Sequence, residues 1–250
     1  YIDGTIINND ANLPENFLKI KGLNLKNLNF NKAIFSSTNN FNFEINKNFK
    51  IKNIFLNSEI HINNLKYKRE KNILNYFPKV NEEIIFKKHK IKLKYNKNFL
   101  SIAGAGEIKL EENFNKIDYI LEKKDQNFNI QSSLNLDNVN LKKQDFIGGF
   151  FPSSDEYFNL KNQKLNIKYS DKKLSLSGEG KIKIDDEFEN IKYLINTKGK
   201  KFNFDLDLNL DKTNFEVNFF NYKKNNNINT KLKIDGYYVY DKNLSLNNLA

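Results

Sequence analysis

The sequence copies itself without a gap. Residues His89 to Lys142 align onto Gln163 to Glu216 at a shift of 74, and roughly 20 of about 54 aligned positions are identical. The register continues upstream, where Tyr76-Phe77-Pro78 falls on Phe150-Phe151-Pro152 and Leu56 to Leu65 falls on Ile130 to Val139. A repeat of this length constrains the fold strongly, because one unit cannot close a core alone and stacked neighbours must extend a shared apolar surface. Soft boundaries fall near Leu56, Ile130 and Leu206. They divide the chain into a degenerate β unit over 1-55, β-groove repeats over 56-129 and 130-205, and a partial β unit over 206-250. Leu13-Pro14 followed by Phe17 to Phe30 reads as a shortened version of the proline-led start, and the last unit lacks that proline landmark.

Period-two alternation dominates from about Phe41 onward and predicts strands with one apolar face. Phe202, Phe204, Leu206, Leu208 and Leu210 alternate with Asn203, Asp205, Asp207 and Asn209, and the counterpart strand carries Phe128, Ile130, Leu134 and Leu136. Ile91, Leu93 and Tyr95 match Leu165, Ile167 and Tyr169, while the IxYxI strand places Tyr119 opposite Tyr193 in the alignment. After the second copy the rhythm continues through Phe215, Val217 and Phe219, then Leu232 and Ile234, then Tyr238 and Tyr240. Polar turns at Asn96-Lys97-Asn98, Glu111-Glu112-Asn113, Ser170-Asp171-Lys172, Asp185-Asp186-Glu187 and Lys198-Gly199-Lys200 fit antiparallel pairing. The linkers 69–77 and 143–151 read as a short helix or an extended loop whose aromatics pack.

The element LSIAGAGEIKL, repeated as LSLSGEGKIKI, holds two glycines on the apolar parity. Gly104 and Gly106 share a face with Leu100, Ile102, Ile108 and Leu110, and Gly178 and Gly180 share one with Leu174, Leu176, Ile182 and Ile184. Glycines on the concave side of a long strand are expected to let it bend, so the sheet is expected to coil. A phosphate-loop reading fails, since no third glycine and no following helix are present.

One-sided strands need cover from a second sheet, from closure or from helices, and no helical pattern of ten residues is available. The expected fold is therefore all-β, an elongated, coiled antiparallel sheet built from tandem repeats that form a half-open hydrophobic groove. A sandwich or solenoid with a filled core, structural or adhesive in role, is the alternative. An outer-membrane barrel fits less well, given charges on every polar face and no tryptophan girdle.

Composition excludes several functions. With no cysteine, disulfides, thiolate metal sites and cysteine nucleophiles are absent. The net charge of +11 rests almost wholly on lysine, with Arg69 the single arginine, whereas phosphate and base recognition recruits arginine for its bidentate fork, so no nucleic-acid partner is expected. The 46 asparagines are interleaved with charges and strand formers, which is codon bias rather than a prion-like tract. His61 and His89 align with Asn135 and Gln163 and read as polar-face residues belonging to no common site. The turn carboxylates Glu111, Glu112, Asp185 and Asp186 lack calcium-loop spacing and read as solvated turns. No catalytic residue, no metal and no cofactor is expected. A chain without methionine that opens on Tyr1 reads as part of a longer product, with any membrane anchor outside it.

The order of a proline-led segment (Phe77-Pro78, Phe151-Pro152), an LSxxGxGxIxL element, an IxYxI strand and an FxFxLxLxL strand resembles the AsmA-like proteins of Gram-negative envelopes, the YhdP and TamB type, over residues 56 to 216. The resemblance implies a repeating β-groove bridge, non-enzymatic, held in the inner membrane and crossing the periplasm, that carries phospholipid toward a partner at the outer membrane. The groove would be lined by the apolar residues named above.

Overall fold

The computed structural model describes residues 1–12, 28–29, 34–143, 150–218, 221–239 and 244–249. The expected features at Leu13-Pro14, most of Phe17 to Phe30, Phe219, Tyr240 and the Gly148-Gly149 pair lie outside these residues.

The chain is all-β. Its strands are β1 (Ile2–Asn12), β2 (Leu28–Asn29), β3 (Ile34–Ile45), β4 (Ile51–Lys68), β5 (Glu83–Asn96), β6 (Phe99–Lys109), β7 (Phe114–Lys124) and β8 (Asn127–Lys142). There follow β9 (Tyr157–Ser170), β10 (Lys173–Lys183), β11 (Phe188–Lys198), β12 (Lys201–Asn209), β13 (Phe215–Val217), β14 (Tyr222–Lys224), β15 (Lys231–Val239) and β16 (Leu244–Leu249). The 74-residue shift carries β5 onto β9, β6 onto β10 and β7 onto β11 at both ends, and the first residue of β8 onto that of β12. The linker 69–77 forms a single 3-10 turn, Lys71–Asn75. Among the described residues no helix is long and apolar enough to cross a membrane.

Fourteen strands join one antiparallel sheet in the order β1-β3-β4-β5-β6-β7-β8-β9-β10-β11-β12-β15-β16, with β2 beside β4. The two end strands do not meet, so the sheet is open, and β13 and β14 form a separate hairpin. Both border strands carry a register irregularity against their one neighbour, between Asn8 and Ala11 in β1 and beside Asp235 and Gly236 for β16. Two compact units divide the chain, Tyr1–Arg69 with Asn81–Ser133, and Glu70–Val80 with Leu134–Ala250.

Within each unit the registers line the apolar positions into rows. In the second, Ile167, Leu176, Ile195 and Phe204 are successive cross-strand partners, and so are Leu165, Gly178, Tyr193, Leu206 and Ile234. In the first, Ser58, Leu93, Ile102 and Leu121 form one row and Ile60, Ile91, Gly104 and Tyr119 the next. The alternation breaks once per repeat. Lys88 and Asn162, at φ 53° and 51°, each open a bulge that places one extra residue against the neighbouring strand. Phe86 and Leu160 thus share a face with His89 and Gln163 three residues on.

The second unit has a filled end. Leu208, Leu210, Ile182, Ile184, Leu160 and Leu136 are buried there together with Phe158, Phe151, Phe215 and Val217. The Phe151 ring lies 5.6 Å from Phe215 and 6.2 Å from Phe158, so the linker aromatic packs as expected, whereas its counterpart position in the first copy, Phe77, is half-buried and Tyr76 is exposed.

Candidate functional site

Ile91, Leu93, Leu100, Ile102 and Tyr119 in the first unit, and Leu165, Ile167, Tyr169, Leu176, Tyr193, Phe202, Phe204 and Leu206 in the second, are half-buried. Each has a strand on both sides and keeps part of its surface exposed. Phe128, Ile130, Leu110 and Leu134 are half-buried as well, and Tyr95 and Leu174, at the turn edge of the face, are exposed. Ile108, Leu136, Ile182, Ile184, Leu208 and Leu210 are buried, so six of the predicted lining residues are core and do not border open space. In the second unit the cover comes from the β13–β14 hairpin and the Phe151 loop, which alternation does not encode.

The apolar face is also less uniform than its sequence suggests. In the first unit Ser37 and Ser58 are buried on it, and Ser37 Oγ accepts hydrogen bonds from Asn8 Nδ2 at 3.0 Å and Asn39 Nδ2 at 2.9 Å. A depression of about 730 Å³ opens at the turn edge of that unit, lined in part by Tyr1, Gly4, Phe41, Leu56, Tyr95 and Phe99. Its volume lies in the range of small-ligand clefts.

The glycines seat rings. Gly104 pairs with Tyr119 and Gly178 with Tyr193. A Cβ on Gly104 would lie 2.4 Å from Tyr119 Cζ, and one on Gly178 would lie 2.3 Å from Tyr193 Cζ. Gly106 and Gly180 make the same room for His89 and Gln163, at 2.5 Å from His89 Cδ2 and Gln163 Nε2. The role visible at these four positions is therefore close approach, the filling of a glycine gap by a neighbouring aromatic or amide.

His89 corrects the sequence reading. It is 3% exposed and lies on the apolar face, brought there by the bulge at Lys88. Its Nε2 lies 3.1 Å from the Glu107 carbonyl and its Nδ1 3.3 Å from the Tyr119 hydroxyl. A carbonyl only accepts, so Nε2 carries the proton and Nδ1 accepts from the tyrosine. Gln163 does the same work in the other copy, donating from Nε2 to the Lys181 carbonyl at 2.8 Å while its Oε1 accepts from Tyr193 at 3.2 Å. Burial holds the His89 pKa below its ordinary value, and pushes Tyr119 and Tyr193 up to about 12. The other histidine, His61, is exposed, as expected.

The turns joining β3 to β4, β5 to β6, β9 to β10 and β11 to β12 carry Lys47, Lys50, Lys97, Lys172 and Lys200, with Asp171 beside Lys172 and Asp125 in the β7 to β8 turn. The β6 to β7 and β10 to β11 turns carry Glu111, Glu112, Asp185, Asp186 and Glu187, and Glu111 is buried, not the solvated turn residue expected. Asp185 is more than a solvated turn residue, because its carboxylate accepts from Asn214 N at 3.0 Å and Ser153 Oγ at 3.2 Å and so ties the covering loops to the filled end. Beside it, Lys224 is 2% exposed and donates from Nζ to the carbonyls of Leu210 and Thr213. Burial lowers the Lys224 pKa, against the pull of Glu189, Asp211 and Asp185, and burial raises that of Glu189. No group of three or more carboxylates or histidines poised to hold a metal occurs among the described residues. The signal for Lys224 was absent from the sequence, where it is one lysine in an asparagine-rich stretch.

No family model matches the chain, no curated protein matches it, and no solved structure matches it.

Proposed function

We propose that the chain is a non-enzymatic segment of a lipid-transfer bridge whose half-open β-trough takes phospholipid acyl chains and leaves the headgroups in water. The observation that supports the reading is the run of apolar cross-strand rows whose side chains keep part of their surface exposed. Each methylene removed from water is worth about 0.8 kcal/mol, so an acyl chain leaving a bilayer meets a cost on the order of 10 kcal/mol. A trough that repeats the same row every 74 residues offsets that cost along its length. The lysines in the turns are a source of positive charge for lipid phosphate on this reading. On this reading the chain belongs with the AsmA-like groove proteins, works in the periplasm of a Gram-negative envelope, is held to the inner membrane, and delivers to a partner at the outer membrane.

A structural or adhesive sheet is the second reading, favoured by the filled end around Leu208, Leu210 and Phe215. Lipid occupancy separates the two. Native mass spectrometry before and after solvent extraction is expected to show bound phospholipid, and photo-crosslinkers at Leu176 and Leu206 are expected to label it while one at Asp207 does not. Leu176→Asp should abolish labelling and keep the strand signature in circular dichroism. Lipid-free protein, or labelling strongest at Asp207, overturns the trough reading.

A further inference from the structure

The β3–β4 hairpin ends in an exposed tip. Residues 46–50 form a closed turn in which Asn46 Oδ1 accepts from Asn48 N at 3.0 Å and Lys50 N at 2.9 Å, Phe49 N donates to the Asn46 carbonyl at 2.9 Å, and Asn46 N donates to the Lys50 carbonyl at 3.0 Å. Within it Phe49 adopts φ 56°, a left-handed conformation that costs a bulky side chain energy and that glycine takes freely. The ring is 89% exposed. A phenylalanine set in a strained backbone and left this exposed among the described residues adds little to folding. It is placed to meet something else.

The surroundings say what. Ile45 and Ile51, paired at the neck of the hairpin, are both exposed. Phe41 and Phe43 precede Ile45 on the same side of β3, with rings 6.0 Å apart, so apolar surface runs from the sheet out to the tip. Lys47 and Lys50 flank Phe49 and Lys52 follows, while the acids toward the neck are Glu44, bonded to Asn53, and Asp3 of β1 opposite Asn42. Aromatic and branched aliphatic groups at an apex, ringed by lysines whose long stems let the charge reach outward, match a bilayer interface with anionic headgroups: the ring enters the headgroup and acyl boundary and the ammonium groups meet phosphate. A nucleic acid would meet lysines alone here, with no arginine to fork a phosphate, and a protein partner would not require the basic ring.

We propose that this tip is a docking element for an anionic lipid bilayer, with Phe49 as the inserted anchor and Lys47 and Lys50 as its electrostatic clamps. The proposal does not depend on the trough carrying lipid, since a sheet with a filled face could dock in the same way.

The chain contains no tryptophan, so Phe49→Trp installs a single reporter. Mixed with vesicles of equal parts phosphatidylcholine and phosphatidylglycerol, it is expected to shift its emission to the blue and to be quenched by brominated acyl chains. Phe114→Trp, exposed at the first residue of β7 beside the acidic turn, is expected to do neither. Sedimentation with the same vesicles should weaken about tenfold or more in Phe49→Gly, from the lost ring, and about fivefold for each of Lys47→Gln and Lys50→Gln. Because glycine relieves the left-handed strain, Phe49→Gly should melt no lower than the parent, which separates lost docking from lost folding. The proposal is overturned by an unshifted Phe49→Trp spectrum, by equal shifts at 49 and 114, by Phe49→Gly sedimenting like the parent, or by a blue shift that grows with protein concentration without vesicles, which would make the occupant a second copy.

Discussion

Replacing Gly178 by alanine tests the ring-on-glycine contact at the centre of the second unit. The added Cβ would sit 2.3 Å from Tyr193 Cζ and 2.4 Å from its hydroxyl oxygen, well inside the roughly 3.5 Å at which such atoms attract. The glycine is held by two ladders, so the ring must swing away. That breaks its hydrogen bond to Gln163, worth about 1 kcal/mol, and adds about 1–3 kcal/mol for repacking. Alanine recovers about 0.5–1 kcal/mol by restricting the unfolded chain, which leaves a net loss of about 2 kcal/mol. In a Tyr193→Ala background the same substitution has nothing to displace and should become neutral or slightly stabilising. Urea unfolding at constant slope measures both legs of the cycle, and the pair Gly104 and Tyr119 supplies an independent repeat of it. Equal effects of Gly178→Ala with and without the tyrosine ring would refute the reasoning.

His89→Gln should change stability by less than about 0.5 kcal/mol, because Gln163 already shows the amide making both bonds, while His89→Ala should cost about 1–3 kcal/mol. The histidine also sets an acid limit: its folded pKa is depressed, so the unfolded chain takes the proton first, and stability present above the unfolded pKa near 6.5 is lost as pH falls toward the lower folded value. Urea midpoints against pH should show that loss in the parent and not in His89→Gln; parallel profiles would count against a buried neutral imidazole. Lys224→Met takes the ammonium from the carbonyls of Leu210 and Thr213 and leaves Lys212 as the remaining lysine acting on Glu189, a loss of about 1–3 kcal/mol. Hydrogen exchange should locate the loosening at β13, β14 and the 210–214 loop, and uniform exchange across the second unit would contradict a local lock.

Much of the fold was legible because the repeat and the alternation act through the backbone, which a sequence reports directly. The hairpin positions of β5, β6 and β7 recur as β9, β10 and β11 because polar turns recur with them. The bulges were missed although a trace existed: Phe86 to His89 and Leu160 to Gln163 both interrupt the two-residue rhythm with a three-residue step at the same place in each copy. Their chemistry stayed hidden because imidazole and amide do not look alike in an alignment, yet each offers a donor at one end and an acceptor at the other. Cover over Leu208 and Leu210 was beyond reach for a different reason, since it comes from a loop and hairpin inserted between β12 and β15, and nothing local to those leucines distinguishes them from Leu206.

An edge strand holds a row of amide and carbonyl groups that can recruit stray chains into fibrils. The irregularities in β1 and beside β16 bear on that hazard. Asp10 sits at φ 48° where β1 slips against β3, and β1 adds a second acid at Asp3. A kinked, charged border offers an incoming strand only a few consecutive bonds before the spacing fails. Along β1 the slipped register and the two acids therefore shorten the ladder that an added strand could build.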